Sequence, residues 1–369
     1  MKKAFIICTS FYDFNKNEIT LGGMQTYFFN LAGILKELDY RVFITSISKK
    51  DTQIPLDECT VLGFSLHTKH LADELAHRVK AYITSSDDLV IYGTDTMISI
   101  KVHFNNSIAI QHGIFWDIPF YSKKARPLMR MLLPRVIKTY KTIKRLNAVQ
   151  RVVCVDYNFV NWYRTQVDYT KKNITVIPNF SNVPDFVKKD EESINIIFAR
   201  RLCWYRGTKV FAAVAKRIAS EYSNINITIA GEGPDESYLK ETLAMYSNIN
   251  FIMYNSAQSL RIHSLQDIAV VPTIGSEGTS LSLLEAMASH CAVVCTDVGG
   301  MTNIVLNEFN GLMVKAGDEE SLLYAIKRLI DDKELRKQLA DNAVKTVQHS
   351  FSFEIWKRQW KTVLQEQSQ

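Results

Sequence analysis

The chain has 369 residues, 47% hydrophobic and 22% charged, with a formal net charge of +6. That balance excludes disordered, collagenous and disulfide-scaffold classes, and the length suits two domains of roughly 100 to 200 residues each. The opening MKKAFIICTSF holds too short an apolar run for a signal peptide, and no later window approaches the roughly 18 apolar residues that span a bilayer. A cytoplasmic protein is the expectation, with six scattered cysteines as packed, reduced thiols. His290, Cys291 and Cys295 suggest a zinc site only superficially. In CAVVC an extended run would hold the two sulfurs roughly 13 Å apart, at about 3.3 Å per residue.

In chain order, strand-like runs alternate with helical ones. AFIICTS, VFITSI, DLVIYG, SIAIQHG, RVVCVD and ITVIPN form a first series, with the continuous apolar character of parallel strands covered on both faces. The glycines Gly22 and Gly23 stand between a polar loop and the helical MQTYFFNLAGILKEL, where a phosphate can approach exposed N–H groups. An ordinary turn explains an isolated pair equally well.

Positive charge is concentrated between Asp117 and Asp156, where no acid occurs. The basic residues there are Lys123, Lys124, Arg126, Arg130, Arg135, Lys138, Lys141, Lys144, Arg145 and Arg151, without which the chain would be net acidic. Leu128, Leu132, Val136, Ile137, Tyr140 and Ile143 recur at three- and four-residue steps, so the charges fall largely on the opposite face of one or two amphipathic helices. A solvated surface helix and a dock for anionic lipid are the two readings. Nucleic acid ranks third, for want of a recognised binding motif.

After the polar stretch 182–193, read as a linker, a second series follows: NIIFARRL, ITIAGEG, INFIMYN, DIAVVPT, AVVCTDVG and GLMVKAG. The pattern predicts an N-terminal Rossmann-like domain over 1–182 and a second over 183–350, with the terminal helix 351–369 packing back on the first. Ligands of such sheets bind at the carboxyl ends of the strands. There lie Arg201 and Arg206, two cations suited to a diphosphate or simply to surface solvation, and the GEGP loop with Gly231 and Gly233, which permits close approach of a ligand or forms a tight turn. GSEGTSLSLLEAMASH places Glu277 just before a helix and Glu285 about two turns inside it. Ser280 and the amides of Gly278, Thr279, Ser280 and Leu281 face any anion at that helix start. Glu285 lies among apolar residues, where a carboxylate needs a partner.

These loops, in this order, resemble the GT-B glycosyltransferases of family four, retaining enzymes with an E-x7-E signature and two Rossmann-like domains facing a cleft. The resemblance covers nearly the whole chain and is strongest over 195–315. It implies that Gly22 and Gly23 lie near the donor phosphates and that His112, in IQHGIF, contacts the donor sugar. It implies further that Arg201 and Arg206 bind the diphosphate, Glu277 the sugar hydroxyls and Glu285 the ribose. Arg206 replaces the usual lysine and Arg200 the usual glycine. Thr279, Ser280 and Ser282 depart from the aromatic or glycine residues usual there, so sugar preference does not transfer.

The resemblance implies a nucleotide-diphosphate sugar as co-substrate, no metal, and retention by same-face attack. A lipid-linked glycan acceptor in lipopolysaccharide O-antigen, capsule or exopolysaccharide assembly fits a basic face on the inner side of the cytoplasmic membrane. Rival readings are an inverting transferase or epimerase of the same fold, and a non-catalytic nucleotide-sugar-binding protein. An NAD-dependent oxidoreductase lacks its strand-linked GxGxxG here.

Overall fold

In a computed structural model the described residues are all but 21, 114–127, 169, 171, 186–192, 276 and 368–369. Lys123, Lys124 and Arg126, and most of the expected linker, therefore lie outside the described residues. So does the side chain of Arg130.

Two α/β domains are built on two largely parallel sheets. The first has the order Asn173–Val176, Arg151–Cys154, Ser107–Gln111, Leu89–Tyr92, Lys3–Ile7, Arg41–Ile47, Thr60–Phe64, Thr52–Pro55. The second has Ile249–Ile252, Ile225–Ala230, Ile194–Ala199, Ile268–Val271, Ala292–Thr296, Leu312–Val314. Within the first, only Thr52–Pro55 runs antiparallel, at the edge, where Pro55 costs no ladder bond.

Alternation explains why both faces are covered. In the first strand Ala4 and Ile6 enter one core layer and Phe5 and Ile7 the opposite one. In the second domain Ile196 and Phe198 point one way and Ile197 and Ala199 the other. Every residue of these strands after the first is buried, so the sequence reads as one largely apolar run. All six cysteines are buried thiols.

The helix Phe353–Gln367 follows the second domain yet packs against the first. Trp356, Trp360, Val363 and Leu364 recur at i, i+4, i+7 and i+8 and join the layer containing Tyr27 and Phe28. The Trp360 indole N–H donates to Tyr27 Oη at 2.9 Å. Lys357 and Lys361 both reach Glu37, at 2.6 and 2.8 Å. This helix ties the two ends of the chain together and leaves the carboxyl edges of both sheets facing each other.

Sequence periodicity missed two pieces of the first domain. Thr52–Pro55 alternates between half-buried and exposed, too short and polar to stand out. The antiparallel pair Tyr12–Asp13 and Glu18–Ile19 is only two residues long on each side.

Candidate active site

The carboxyl ends of the two sheets meet at a seam. Gly23 opens the helix Gly23–Glu37, and a side chain there would collide with Leu281, the first residue of the helix Leu281–Ala288 in the other domain. A Cβ on Gly278 would stand 2.8 Å from the His112 carbonyl oxygen, 2.9 Å from Val155 Cγ2 and 3.2 Å from Asp156 Oδ2. Thr279 Oγ1 donates to the Val155 carbonyl, and Asn179 Nδ2 to the Thr279 carbonyl at 2.7 Å. The Tyr157 amide donates to Asn303 Oδ1 at 3.0 Å. The structure thus brings Gly22–Gly23, His112 and the loop 277–281 together from separate parts of the chain.

Glu277 is 7% exposed. Its Oε2 accepts from Arg200 Nη2 at 2.7 Å, from Thr273 Oγ1 at 2.9 Å and from Arg206. Burial pushes this carboxyl up, but Arg200 and then Arg206 more than offset it, holding the group below the usual glutamate range. Glu277 is therefore an anion, fixed in orientation. Arg201, in contrast, is exposed, and its neighbour Arg200 occupies the buried position. That alternation follows from the strand that precedes them, since successive side chains at its end point oppositely.

The loop is held from behind by glycines. Gly300 N–H donates to the Glu277 carbonyl at 3.0 Å, and Gly299, at φ 54°, leaves that same carbonyl room. Gly231, at φ 123°, packs against the Arg200 carbonyl. Gly233 packs likewise on Leu202, whose amide donates to the Glu232 carbonyl at 2.8 Å. In this structure the GEGP loop supports the strand end that carries Arg200.

Ser280 precedes the helix Leu281–Ala288 in an extended conformation and makes no side-chain cap bond among the described residues. The first amides of a helix have no intrahelical partners, so this helix start offers donors and a positive dipole end. Farther along, Glu285 accepts from Ser259 Oγ at 2.7 Å, and burial raises its carboxyl to about 7.

His112 follows the strand Ser107–Gln111. Its Nε2 lies 3.1 Å from the Gly93 carbonyl, which can only accept, so Nε2 carries the proton and Nδ1 is left as an acceptor. Burial lowers the imidazole to about 4, hence it is neutral at physiological pH. The Tyr27 ring meets it edge-on, with centroids 5.2 Å apart.

Three features of the site were missed from sequence: Arg200, seen only as standing where the resembling family has glycine, the pair Gly299–Gly300, and Asp156. Asp156 Oδ1 caps the helix Tyr157–Tyr163 through the Phe159 amide at 2.9 Å, while Oδ2 is buried without a hydrogen-bond partner among the described residues. Burial lifts its carboxyl to about 6. A V-D step at a strand end was the available signal.

The helix Leu128–Leu146 packs against the short turn Asp95–Met97. Leu133, Val136 and Tyr140 are 55%, 62% and 65% exposed, beside the exposed Lys138, Lys141 and Lys144. Leu132, Val136, Ile137 and Tyr140 thus face outward together with these lysines, whereas Ile143 packs on the core. Arg145 and Arg135 are half-buried. Among the described residues no helix is long and apolar enough to cross a membrane.

Comparison with known proteins places these features. Residues 180–346 match the model of the family described as "Glycosyl transferases group 1". An uncharacterized glycosyltransferase of Methanocaldococcus jannaschii is 25% identical over 60% of this chain and 57% of its own length. The N,N'-diacetylbacillosaminyl-diphospho-undecaprenol alpha-1,3-N-acetylgalactosaminyltransferase of Campylobacter jejuni is 31% identical over 42% of this chain and 40% of its own. The matched stretches thus span about half the length of these relatives. HepE of Anabaena, solved in complex with UDP-glucose, superposes with a TM-score of 0.73 at 14% identity, over 99% of this chain and 100% of that one. The second domain thus matches the group 1 glycosyl transferase family, and the chain as a whole carries the GT-B fold.

Proposed function

We propose that the chain is a retaining glycosyltransferase that moves a sugar from a nucleotide-diphosphate donor to a hydroxyl of a lipid-linked glycan, at the surface of an anionic membrane. The observation that carries the reading is the cluster of Arg200, Arg206 and Glu277 beside the uncapped start of the helix Leu281–Ala288. Among the described residues two guanidiniums meet one carboxylate in a largely buried place, next to a helix start whose first amides have no intrahelical partner. A diphosphate suits such a place.

The same groups act as the diphosphate departs, since charge develops on its bridging oxygen as the anomeric bond breaks. Arginines and helix amides then provide the stabilisation that a divalent ion provides in metal-dependent transferases. Glu277 would hold donor-sugar hydroxyls, Glu285 the ribose, and neutral His112 would accept a sugar hydroxyl at Nδ1. Glu277, tied to two guanidiniums, is a poor general base. This favours same-face attack, in which the acceptor oxygen bonds the anomeric carbon, the anomeric carbon–phosphate oxygen bond breaks, and the acceptor proton passes to the departing phosphate oxygen. Glycines at 22, 23 and 278 permit the close approach that excludes water.

The acceptor reading rests on the helix Leu128–Leu146, whose outward apolar residues and lysines suit an interfacial helix on anionic lipid. The Campylobacter relative's name specifies a diphospho-undecaprenol acceptor. An acceptor of that class fits bacterial surface-polysaccharide assembly.

A panel of nucleotide sugars screened by thermal shift and by hydrolysis tests the donor reading. At least one should raise the melting temperature by mass action. If none binds or reacts, the transferase reading is refuted. Product anomeric configuration separates retention from inversion. Val136→Glu with Ile137→Glu should abolish sedimentation with phosphatidylglycerol vesicles, and unchanged sedimentation removes the membrane proposal.

A further inference from the structure

Glu277 has more donors than one carboxylate oxygen can serve well. Oε2 receives Arg200, Arg206 and Thr273 together, although an oxygen of this kind offers about two lone-pair directions. The two arginines are not equivalent. Arg200 directly follows the strand Ile194–Ala199, its amide continues the ladder to the Ala230 carbonyl at 3.0 Å, and its side chain is 5% exposed. Its Nη1 also donates to Thr273 Oγ1 at 2.6 Å. Arg206 sits on the short turn Trp204–Arg206, outside the sheet and just before Gly207 at φ 85°, and its side chain is 23% exposed. Its guanidinium lies 5.2 Å from the centre of the Tyr205 ring.

We propose that Arg200 is the resident counter-ion of Glu277 and Arg206 a transferable one. An arriving diphosphate draws Arg206 off Glu277, and a donor-sugar hydroxyl takes the vacated position on Oε2. The inference rests on the donor-site reading above and adds an order of events to it, phosphate before sugar. The exchange moves hydrogen bonds only, and no proton changes owner. It is favourable because the diphosphate offers more charge than a half-shared carboxylate, while Arg200 keeps Glu277 from becoming an unpaired buried anion. Where the resembling family has glycine, this chain carries its own counter-ion. Arg200 is thus a positioning residue, and Arg206 the one that touches the donor.

Calorimetric titration with inorganic pyrophosphate, and in parallel with UDP, distinguishes the two arginines. Arg206→Gln should weaken pyrophosphate by roughly tenfold or more, as expected for a lost charge-assisted bond. Glu277→Gln, which keeps the shape, should tighten it several-fold in the wild-type background, because Arg206 no longer has to leave a carboxylate. Most of that gain should vanish in the Arg206→Gln background. Arg200→Gln should weaken pyrophosphate far less than Arg206→Gln, while lowering kcat and thermal stability. Persistence of the full Glu277→Gln gain without Arg206 would show simple charge repulsion and overturn the transfer. Equal losses for Arg200→Gln and Arg206→Gln would overturn the division of roles. Neither result would touch the donor reading, which fails, and takes the transfer with it, only if neither pyrophosphate nor any nucleotide binds. The Glu277–Arg206 cycle does not require the Arg200 variant to fold.

Discussion

Gly278→Ala should uncouple the two domains without unfolding either. Gly278 is not among the residues with positive φ, so alanine meets no backbone strain. The added methyl meets instead the His112 carbonyl at 2.8 Å, Val155 Cγ2 at 2.9 Å and Asp156 Oδ2 at 3.2 Å, all across the seam. Contacts this short cost about 1–3 kcal/mol if nothing yields, and here opening the cleft is the cheapest relief. A penalty of that size lowers the closed population roughly 5- to 150-fold relative to open. It also loosens the Thr279 and Asn179 bonds across the seam. The expected result is a fall in kcat/KM with a nearly unchanged melting temperature, and a larger radius of gyration by solution scattering. Gly300→Ala is the control within one domain, since its methyl would stand 2.5 Å from the Gly278 carbonyl carbon and 2.9 Å from the Thr279 amide. That variant should lose thermal stability. If Gly278→Ala keeps both full kcat/KM and the wild-type scattering curve, the closed seam between the domains is not the reacting arrangement.

Asp156→Asn keeps a helix cap but removes a carboxylate whose pKa burial has raised to about 6. Such a group binds its proton more tightly in the folded state, so it lowers stability as pH rises from about 4 to about 6, and the full penalty remains above that. The variant should melt higher than wild type at pH 8, by a margin that shrinks toward pH 4, and a constant margin would contradict this. His112, held to about 4, behaves oppositely: its contribution is intact above pH 6.5 and stability is lost as pH falls toward 4. His112→Gln should flatten that acid limb in a thermal-shift pH series and lower kcat at pH 7.5. Trp360→Ala should cost about 3–5 kcal/mol in denaturant unfolding, because it empties a fully buried site and removes the bond to Tyr27. Tyr27→Phe removes only that bond and should cost about 1 kcal/mol; a cost as large as that of Trp360→Ala would show that Tyr27 supports more than the terminal helix.

Strand order, in contrast to strand existence, was not legible. Each of VFITSI, DLVIYG and DIAVVPT is recognisable because a strand covered on both faces is apolar at most positions. Nothing in those runs says that Lys3–Ile7 lies between Leu89–Tyr92 and Arg41–Ile47. The basic helix shows the opposite limit. Its periodicity was correct, but a stripe of Leu132, Val136, Ile137 and Tyr140 reads the same whether it faces a core or solvent, and here it faces outward.

What the sequence determined by itself was the repeated strand and helix pattern and the composition of the loops after the strands, including Glu277, Glu285 and His112. Those are local properties, carried by periodicity and by residue type. Only the tertiary structure decided which cation meets Glu277. Arg200 and Arg201 are adjacent and chemically alike, and the pleat at the end of Ile194–Ala199 turns one into the buried site and leaves the other in solvent. It likewise decided that Asp156 and Gly278, far apart in the chain, face each other across the seam. Which partners meet across a seam depends on how two sheets are placed, and no single stretch of sequence encodes that.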